Sequence, residues 1–236
     1  MTGVQTCALP ICLPTYWQGL LTTLQLLALA LVLGLLFALP LGVLRASSRQ
    51  WLGVPIGAPV WFYTWVIRGT PLLVQLFILY YGLAQFDAVR ESALWPWLSS
   101  AWFCAVLAFA LNTCAYTTEM LAGAIRATPH GEVEAARAFG MSWATLMRRI
   151  VLPSALRRCL PAYGNEVILM LHATSIASVV TLLDITGAAR EMNSRFYLPF
   201  EAFVTAALFY LALTFVLVAL FRRAEARWLA HLQPRH

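Results

Sequence analysis

The chain has 236 residues, 61% of them hydrophobic and only 11% charged, with a mean hydropathy of +0.75. Soluble domains carry about 45–50% apolar and about 25% charged residues, so a single water-facing globule is excluded and the composition is that of a membrane protein. All 16 basic residues are arginine against 10 acidic ones, a net charge of +6. In a membrane protein such an excess reports cytoplasmic loops rather than nucleic acid. At roughly 20 apolar residues per crossing, the length holds about five or six spans and no large separate soluble domain. Cys7, Cys12, Cys104, Cys114 and Cys159 form no CxxC pair and read as small packed side chains, with no metal or disulfide role.

The first twelve residues, MTGVQTCALPIC, lack the basic start and small-residue cleavage site of a signal peptide, and are expected to be a non-native leader before a functional domain at 13–236. Residues 17–44 are apolar and uncharged and make span one. Residues 51–86 are broken by Pro55, Pro59, Arg68 and the Gly69, Thr70, Pro71 interruption, which predicts an interfacial lead-in followed by span two at about 71–86. A loop with Trp95, Pro96 and Trp97 leads to span three at 102–124. The polar region 126–158 precedes span four at 160–183, and a mixed loop at 184–199 precedes span five at 200–221. With alternating sides, Arg45, Arg49, Arg68, Arg126, Arg137, Arg148, Arg149, Arg157, Arg158, Arg222, Arg223, Arg227 and Arg235 fall together, while Arg90, Arg190 and Arg195 face the other way. The expected fold is therefore all-α with five transmembrane helices, the N-terminus outside and the C-terminus cytoplasmic.

Residues 134–153 read EAARAFGMSWATLMRRIVLP: Glu-Ala-Ala, three residues, Gly, nine residues, Ile, one residue, Leu-Pro. Pro129 and Gly131 break the chain after span three, 132–139 suits a short helix, Gly140 suits its end, and Pro153 suits the opening of the next helix. The small side chains of Ala135 and Ala136 allow close approach by a partner. This pattern, lying between two spans, resembles the permease subunits of bacterial ATP-binding cassette importers (type I importer fold). The segments RGTPLLVQLFILYYGL at 68–83 and AYTTEMLAGAIRATPHGEVEAARAFG at 115–140 are similar to the second span and to the third span with coupling region of polar amino acid permeases, and NEVILMLHATSIAS at 165–178, with FRRAEARWL near the end, resembles the permease subunit that pairs with a second one in histidine, lysine, arginine and ornithine importers. The sequence His130, Gly131, Glu132, Val133 before the motif favours the basic amino acid branch, and the similarity covers roughly residues 15–235.

The resemblance implies that the short helix is a coupling helix seated on an ATPase subunit, with Glu132, Glu134, Ala135, Ala136, Gly140, Ile150, Leu152 and Pro153 as coupling residues. It further implies a bacterial inner-membrane location, a second homologous permease, an ATPase dimer and a periplasmic binding protein that delivers a basic amino acid. The chain is then a transport subunit and not an enzyme. No GxxxxGK[ST] segment occurs, so ATP and Mg belong to the ATPase and this chain binds no cofactor.

Acids inside spans are costly, about 2.5–3.5 kcal/mol on insertion scales, which makes Glu119, Glu166 and Asp184 candidates for meeting a cationic substrate. Gln75, Asn165, Thr174 and Ser175 add neutral hydrogen-bonding groups. Each acid has a structural alternative: Glu119 paired with Arg126 or an arginine of the central loop, Glu166 paired at the cytoplasmic surface or with a neighbouring subunit, Asp184 as a surface acid. His172 reads as a packed residue with one hydrogen-bond partner. An ion-coupled secondary transporter is the alternative class, but the chain shows no internal repeat. His130, His172, His231 and His236 are too scattered for a membrane enzyme.

Overall fold

The computed structural model describes residues 5–47, 50–51 and 54–228, with side chains at 13–47 and 56–228. Residues 1–4, Arg49, His231, Arg235 and His236 lie outside the described residues. Of the expected leader only the backbone of 5–12 is described, as the beginning of α1 (Gln5–Ala46). A two-residue antiparallel pairing, Gln50 with Pro55 and Trp51 with Val54, precedes α2 (Ala58–Gly69).

The next helix, α3 (Leu72–Phe77), runs on through a π-helical turn (Ile78–Gly82) and a 3-10 turn (Leu83–Gln85). Two single-turn helices, α4 (Asp87–Arg90) and α5 (Trp95–Leu98), lead to α6 (Ala101–Arg126), whose first turn is capped by Ser100. Then follow α7 (His130–Ala138), α8 (Trp143–Leu146), a π-helical turn (Met147–Val151), α9 (Leu152–Ala173) with a 3-10 extension (Thr174–Val180), α10 (Ile185–Phe196) and α11 (Pro199–Trp228).

Three of these helices, α1, α6 and α11, are long and apolar enough to cross a membrane singly. Two bent pairs bring the number to five if each is one crossing: α2 with the α3 run, bent by 102°, and Trp143–Val180 with α10, bent by 45°. Contacts fix the relative directions. α1 and α6 are parallel, with Gly34 against Thr113 and Gly42 against Leu121. Between them the α2–α3 pair advances against α6, Thr64 meeting Glu119, Gln75 meeting Asn112 and Leu79 meeting Cys104. The pair thus makes one net return, despite its bend. α9 runs antiparallel to α6, since Arg158 reaches Ala124 O and Cys159 reaches Met120 O. It is also antiparallel to α11, where Gly164 faces Phe221 and His172 faces Thr214.

α6 is the hub. Its most apolar stretch is 61% buried, against 6% for α11, which leaves α11 at the periphery. Cys104, Ala105, Ala108 and Phe109 of α6 pack with Leu26, Leu27 and Ala30 of α1 and with Met170 and Leu171 of α9. Small residues let the backbones approach, as membrane helices require in the absence of a hydrophobic drive between them.

Three sequence expectations change. The stretch expected to be an interfacial lead-in contains α2, which belongs to the bundle: Thr64 is buried and Tyr63 OH donates to Leu111 O at 2.7 Å. The helix expected to open at Pro153 already starts at Trp143. The π-helical turn absorbs the proline, with Leu152 N–H donating to Met147 O, five residues back. The outer loop expected at 184–199 is largely α10, amphipathic in its sequence and therefore invisible to a search for apolar runs.

Gly19 sits where a Cβ would lie 2.6 Å from Asp184 O, a backbone atom that cannot swing away. Gly19→Ala is expected to lower stability by about 1–3 kcal/mol. The check is a depressed thermal midpoint of the detergent-solubilised chain.

Candidate functional sites

The break between α2 and α3 is built by Pro71, which has no amide hydrogen and drives Thr70 to an extended φ of −117° and ψ of 143°. Carbonyls freed there would be unsatisfied in hydrocarbon. Gln75 supplies the missing donor: its Nε2 donates to Ile67 O at 2.7 Å and to Thr70 O and Oγ1 at 3.1 and 2.8 Å. Asn112 Nδ2 on α6 approaches Gln75 Oε1 at 3.5 Å, tying the break to the hub.

A cavity of about 430 Å³ opens at this break, lined by Arg68, Thr70, Asn112, Tyr116 and Glu166 on a wall of Leu169, Met170 and Ala173. The Arg68 guanidinium carbon stands 5.1 Å above the Tyr116 ring centroid, a cation–π arrangement. Glu166 is 7% exposed. One cavity therefore holds a guanidinium and a buried carboxyl group. A guanidinium binds a carboxylate through paired N–H groups, and a carboxylate accepts from ammonium or guanidinium, so the cavity offers one partner to the carboxylate and one to a cationic group of an amino acid.

A second cavity of about 260 Å³ shares Arg68 and Gly69 with the first and contains Arg45, Thr64 and Glu119. Glu119 Oε1 accepts from Arg45 Nε and from Thr64 Oγ1, each at 2.7 Å. The sequence pointed to Arg126 or an arginine of the central loop as the partner of Glu119. The parallel packing of α1 and α6 delivers Arg45 instead, and Arg126 Nη2 donates to Arg45 O at 2.7 Å.

The six residues proposed for a substrate path are thus dispersed. Glu166 lines the first cavity, Gln75 braces it and Glu119 lines the second. Asn165 is exposed on α9 outside the cavity lining, and Ser175 donates to His172 O at 2.7 Å. Asp184 is not a surface acid: it is fully buried and caps α10, its carboxylate accepting from Gly187 N at 2.8 Å, Thr186 N at 3.3 Å and Tyr210 OH at 3.0 Å. Thr174 is buried and bonds to Leu171 O, and His172 Nε2 pairs with Thr214 Oγ1 at 3.1 Å. Sequence reasoning missed Arg68, Asn112 and Tyr116 as site residues. The signal was there in the spacing of Asn112, Tyr116 and Glu119, one polar stripe on an otherwise apolar helix.

The Glu-Ala-Ala segment forms α7. Its end is a Schellman motif: Met141 N–H donates to Ala136 O, Gly140 N–H donates to Arg137 O, and Gly140 takes a φ of +74°. The motif residues divide into two sets. Ala136 is buried against Leu121, Ile125, Leu146, Val151 and Ala155, with Ile150 and Leu152 packed on the same cluster. It therefore faces inward, and is not open to a partner as expected. Glu132, Glu134, Ala135 and Gly140 are exposed, and beside them Phe139 is 85% and Trp143 53% exposed. These two aromatics were not read from the sequence as part of the surface.

A membrane bundle with a broken helix, a polar cavity at the break and a short helix presented at one end is the architecture of a solute permease subunit. The chain belongs to the family described as binding-protein-dependent transport system inner membrane component, which matches residues 38–229. It is 50% identical over 219 residues to the histidine/lysine/arginine/ornithine transport system permease protein HisM of Escherichia coli strain K12, covering 92% of this chain and 90% of that protein. It is 45% identical over 207 residues to the octopine transport system permease protein OccM of Rhizobium meliloti, covering 88% and 83%. The crystal structure of an amino acid ABC transporter with histidines superposes with a TM-score of 0.81 at 36% identity, covering 94% of this chain and 97% of that one. The inward-facing MetNI methionine ABC transporter shares the fold, with a TM-score of 0.73 at 17% identity over 91% and 97% of the two chains.

Removing the Asp184 carboxylate leaves two α10 amides and the Tyr210 hydroxyl without their acceptor. Asp184→Ala is expected to cost about 1–3 kcal/mol of stability, read as a lower thermal midpoint in detergent.

Proposed function

We propose that the chain is one of two permease subunits of an ATP-binding cassette importer for basic amino acids. The observation that carries this reading is the placing of Arg68 and Glu166 in one cavity at a helix break, between α2, α6 and α9. Glu166 accepts the cationic side chain or the α-ammonium, and Arg68, displaced from Tyr116, takes the α-carboxylate. Tyr116 and Asn112 supply an aromatic face and an amide. The names of the HisM and OccM relatives support an amino acid cargo, and those of HisM a basic one.

Orientation follows from charge. Among the described residues Arg45, Arg126, Arg137, Arg148, Arg149, Arg157, Arg158, Arg222, Arg223 and Arg227 gather at the end of the bundle that carries α7, and Arg90, Arg190 and Arg195 lie toward the other. Lys and Arg favour the cytoplasmic side, so α7 is cytoplasmic and α1 begins outside. Arg68, counted with the cytoplasmic arginines from sequence, instead stands in the cavity. α7 then serves as the coupling helix, with Glu132, Glu134, Ala135, Phe139 and Trp143 against the ATPase, Ala136, Ile150 and Leu152 joining it to the bundle, and Pro153 in the first turn of α9 that follows. A binding protein delivers the amino acid at the outer end, ATP and Mg reside on the ATPase, and this chain performs no chemistry. No observation favours an ion-coupled transporter.

The test is uptake of radiolabelled arginine into proteoliposomes holding this chain, its second permease and the ATPase, with loaded binding protein inside or outside. Uptake is expected only with an intact ATPase and external binding protein; uptake that persists with an inactivated ATPase overturns the reading. Glu166→Gln is expected to raise the KM for arginine about tenfold or more, the effect of losing one desolvated charge partner, while ATPase assembly is kept. Gly140→Asp, which meets no neighbour within the chain but puts a charged side chain on the exposed end of α7 at a positive φ that glycine holds at least cost, is expected to abolish stimulation of ATP hydrolysis by the loaded binding protein while membrane insertion is unchanged.

A further inference from the structure

Where α9 begins and α11 ends, a cavity of about 470 Å³ lies between the two helices, lined by Pro153, Leu156, Arg157, Arg227 and Trp228. Its lining contains two arginines and no acidic residue. Among the described residues neither Arg157 nor Arg227 makes a hydrogen bond or an ion pair. The contrast with the adjacent Arg158 is direct, since that side chain is spent on Thr128 Oγ1 at 2.8 Å and Ala124 O at 3.3 Å.

We propose that this cavity binds the phosphodiester headgroup of an anionic phospholipid. Four observations select that occupant. First, the cavity lies at a membrane face: α11 is apolar and almost wholly unburied within the bundle up to Phe221, and Arg222, Arg223, Arg227 and Trp228 follow at once. Arginines and an indole at the end of a span belong at the level of the headgroups. Second, two guanidinium groups without acid partners at the mouth of an inter-helix cavity match the charge and the oxygen array of a phosphodiester. Third, Pro153, Leu156 and Arg157 occupy one stripe of α9, at helical spacings of three and four, which offers acyl chains an apolar edge next to the charge. Fourth, Ala155, two positions from both Pro153 and Arg157, faces the opposite way, into the cluster that holds Ala136 and α7. The cavity therefore opens away from the surface assigned to the ATPase. The proposal rests on the orientation given above only for the leaflet, which is then the cytoplasmic one; binding itself requires no transport.

The test uses the full-length chain in a neutral detergent, titrated with phosphatidylglycerol or phosphatidylcholine and read by native mass spectrometry of retained lipid. Wild type is expected to retain phosphatidylglycerol in preference to phosphatidylcholine. The double variant Arg157→Gln/Arg227→Gln is expected to lose affinity on the order of thirtyfold, the effect of two arginines at a surface. A control pair of equal charge loss at the same end, Arg148→Gln/Arg149→Gln, is expected to retain it, and so is Arg157→Lys/Arg227→Lys. Both glutamine variants should keep the wild-type thermal midpoint without lipid, because among the described residues the side chains they remove make no hydrogen bond or ion pair. Equal loss in the two glutamine variants would mean diffuse attraction and overturns the site. Displacement of phosphatidylglycerol by millimolar inorganic phosphate overturns the lipid as its ligand, and release of the lipid when the ATPase docks overturns it in favour of a protein contact.

Discussion

The break between α2 and α3, and the cavity beside it, are braced by one amide side chain. A backbone break inside a membrane frees carbonyls from the helical ladder, and each would cost several kcal/mol if it met hydrocarbon unpaired. Gln75 Nε2 serves Ile67 O and Thr70 O across the break, and Gln75 Oε1 in turn faces Asn112 of α6. With the break stabilised, the chain turns through 102° and Arg68 ends up on its inner side, above Tyr116 and in the same cavity as Glu166. A continuous helix in its place would carry Arg68 along a regular ladder and leave no cavity at that depth.

The frame around the break is rigid because its helices touch through small groups. Gly34 of α1 lies so near Thr113 that a Cβ would stand 2.3 Å from the Thr113 methyl, and Gly19 meets the backbone at Asp184. At the end of the bundle away from α7, Asp184 joins α10 to Tyr210 of α11, and Ile185 N–H donates to Thr23 Oγ1 of α1 at 3.3 Å. Three helices are thus held by one buried carboxylate and its neighbours. At the opposite end Arg45, Glu119 and Thr64 tie α1, α6 and α2 together. The polar groups inside this apolar chain therefore serve two purposes, locking helices to one another and furnishing the cavity, and only geometry tells them apart.

That is also why the sequence was legible in some places and opaque in others. Spans one, three and five coincide with α1, α6 and α11 because each is a single long apolar run, which length alone reveals. The helix at 130–138 and the turn at Gly140 were legible because proline and glycine punctuate them. By contrast, Asp184 reads the same in sequence whether it meets a substrate or caps a helix, and the amphipathic α10 that it caps gives no apolar run. The partner of Glu119 was missed because it lies 74 positions away, at Arg45, and pairing over such a distance depends on helix direction. The role of Arg68 needed the bend, which proline announces without stating its angle.

The Glu-Ala-Ala segment itself shows how a fixed pattern can hold two kinds of constraint. Ala136, Ile150 and Leu152 are confined by packing to the cluster with Leu121 and Ala155, whereas Glu132, Glu134 and Ala135 are free of the bundle. A large residue at position 136 would pry α7 from α6, while one at 135 would alter only the outward face. Ala155 and Glu166 lie on the same helix, eleven residues or about 16 Å apart, so the cluster beneath α7 and the carboxyl group of the cavity are carried by one element. That element is not uniformly stiff: its ladder is interrupted at the π-helical turn Met147–Val151 and again at Pro161, between the two ends. Pro161 thus removes one backbone donor between the packed cluster and the cavity, five residues before Glu166. Contiguity alone does not make coupling, which requires an element with two arrangements that both sites bias.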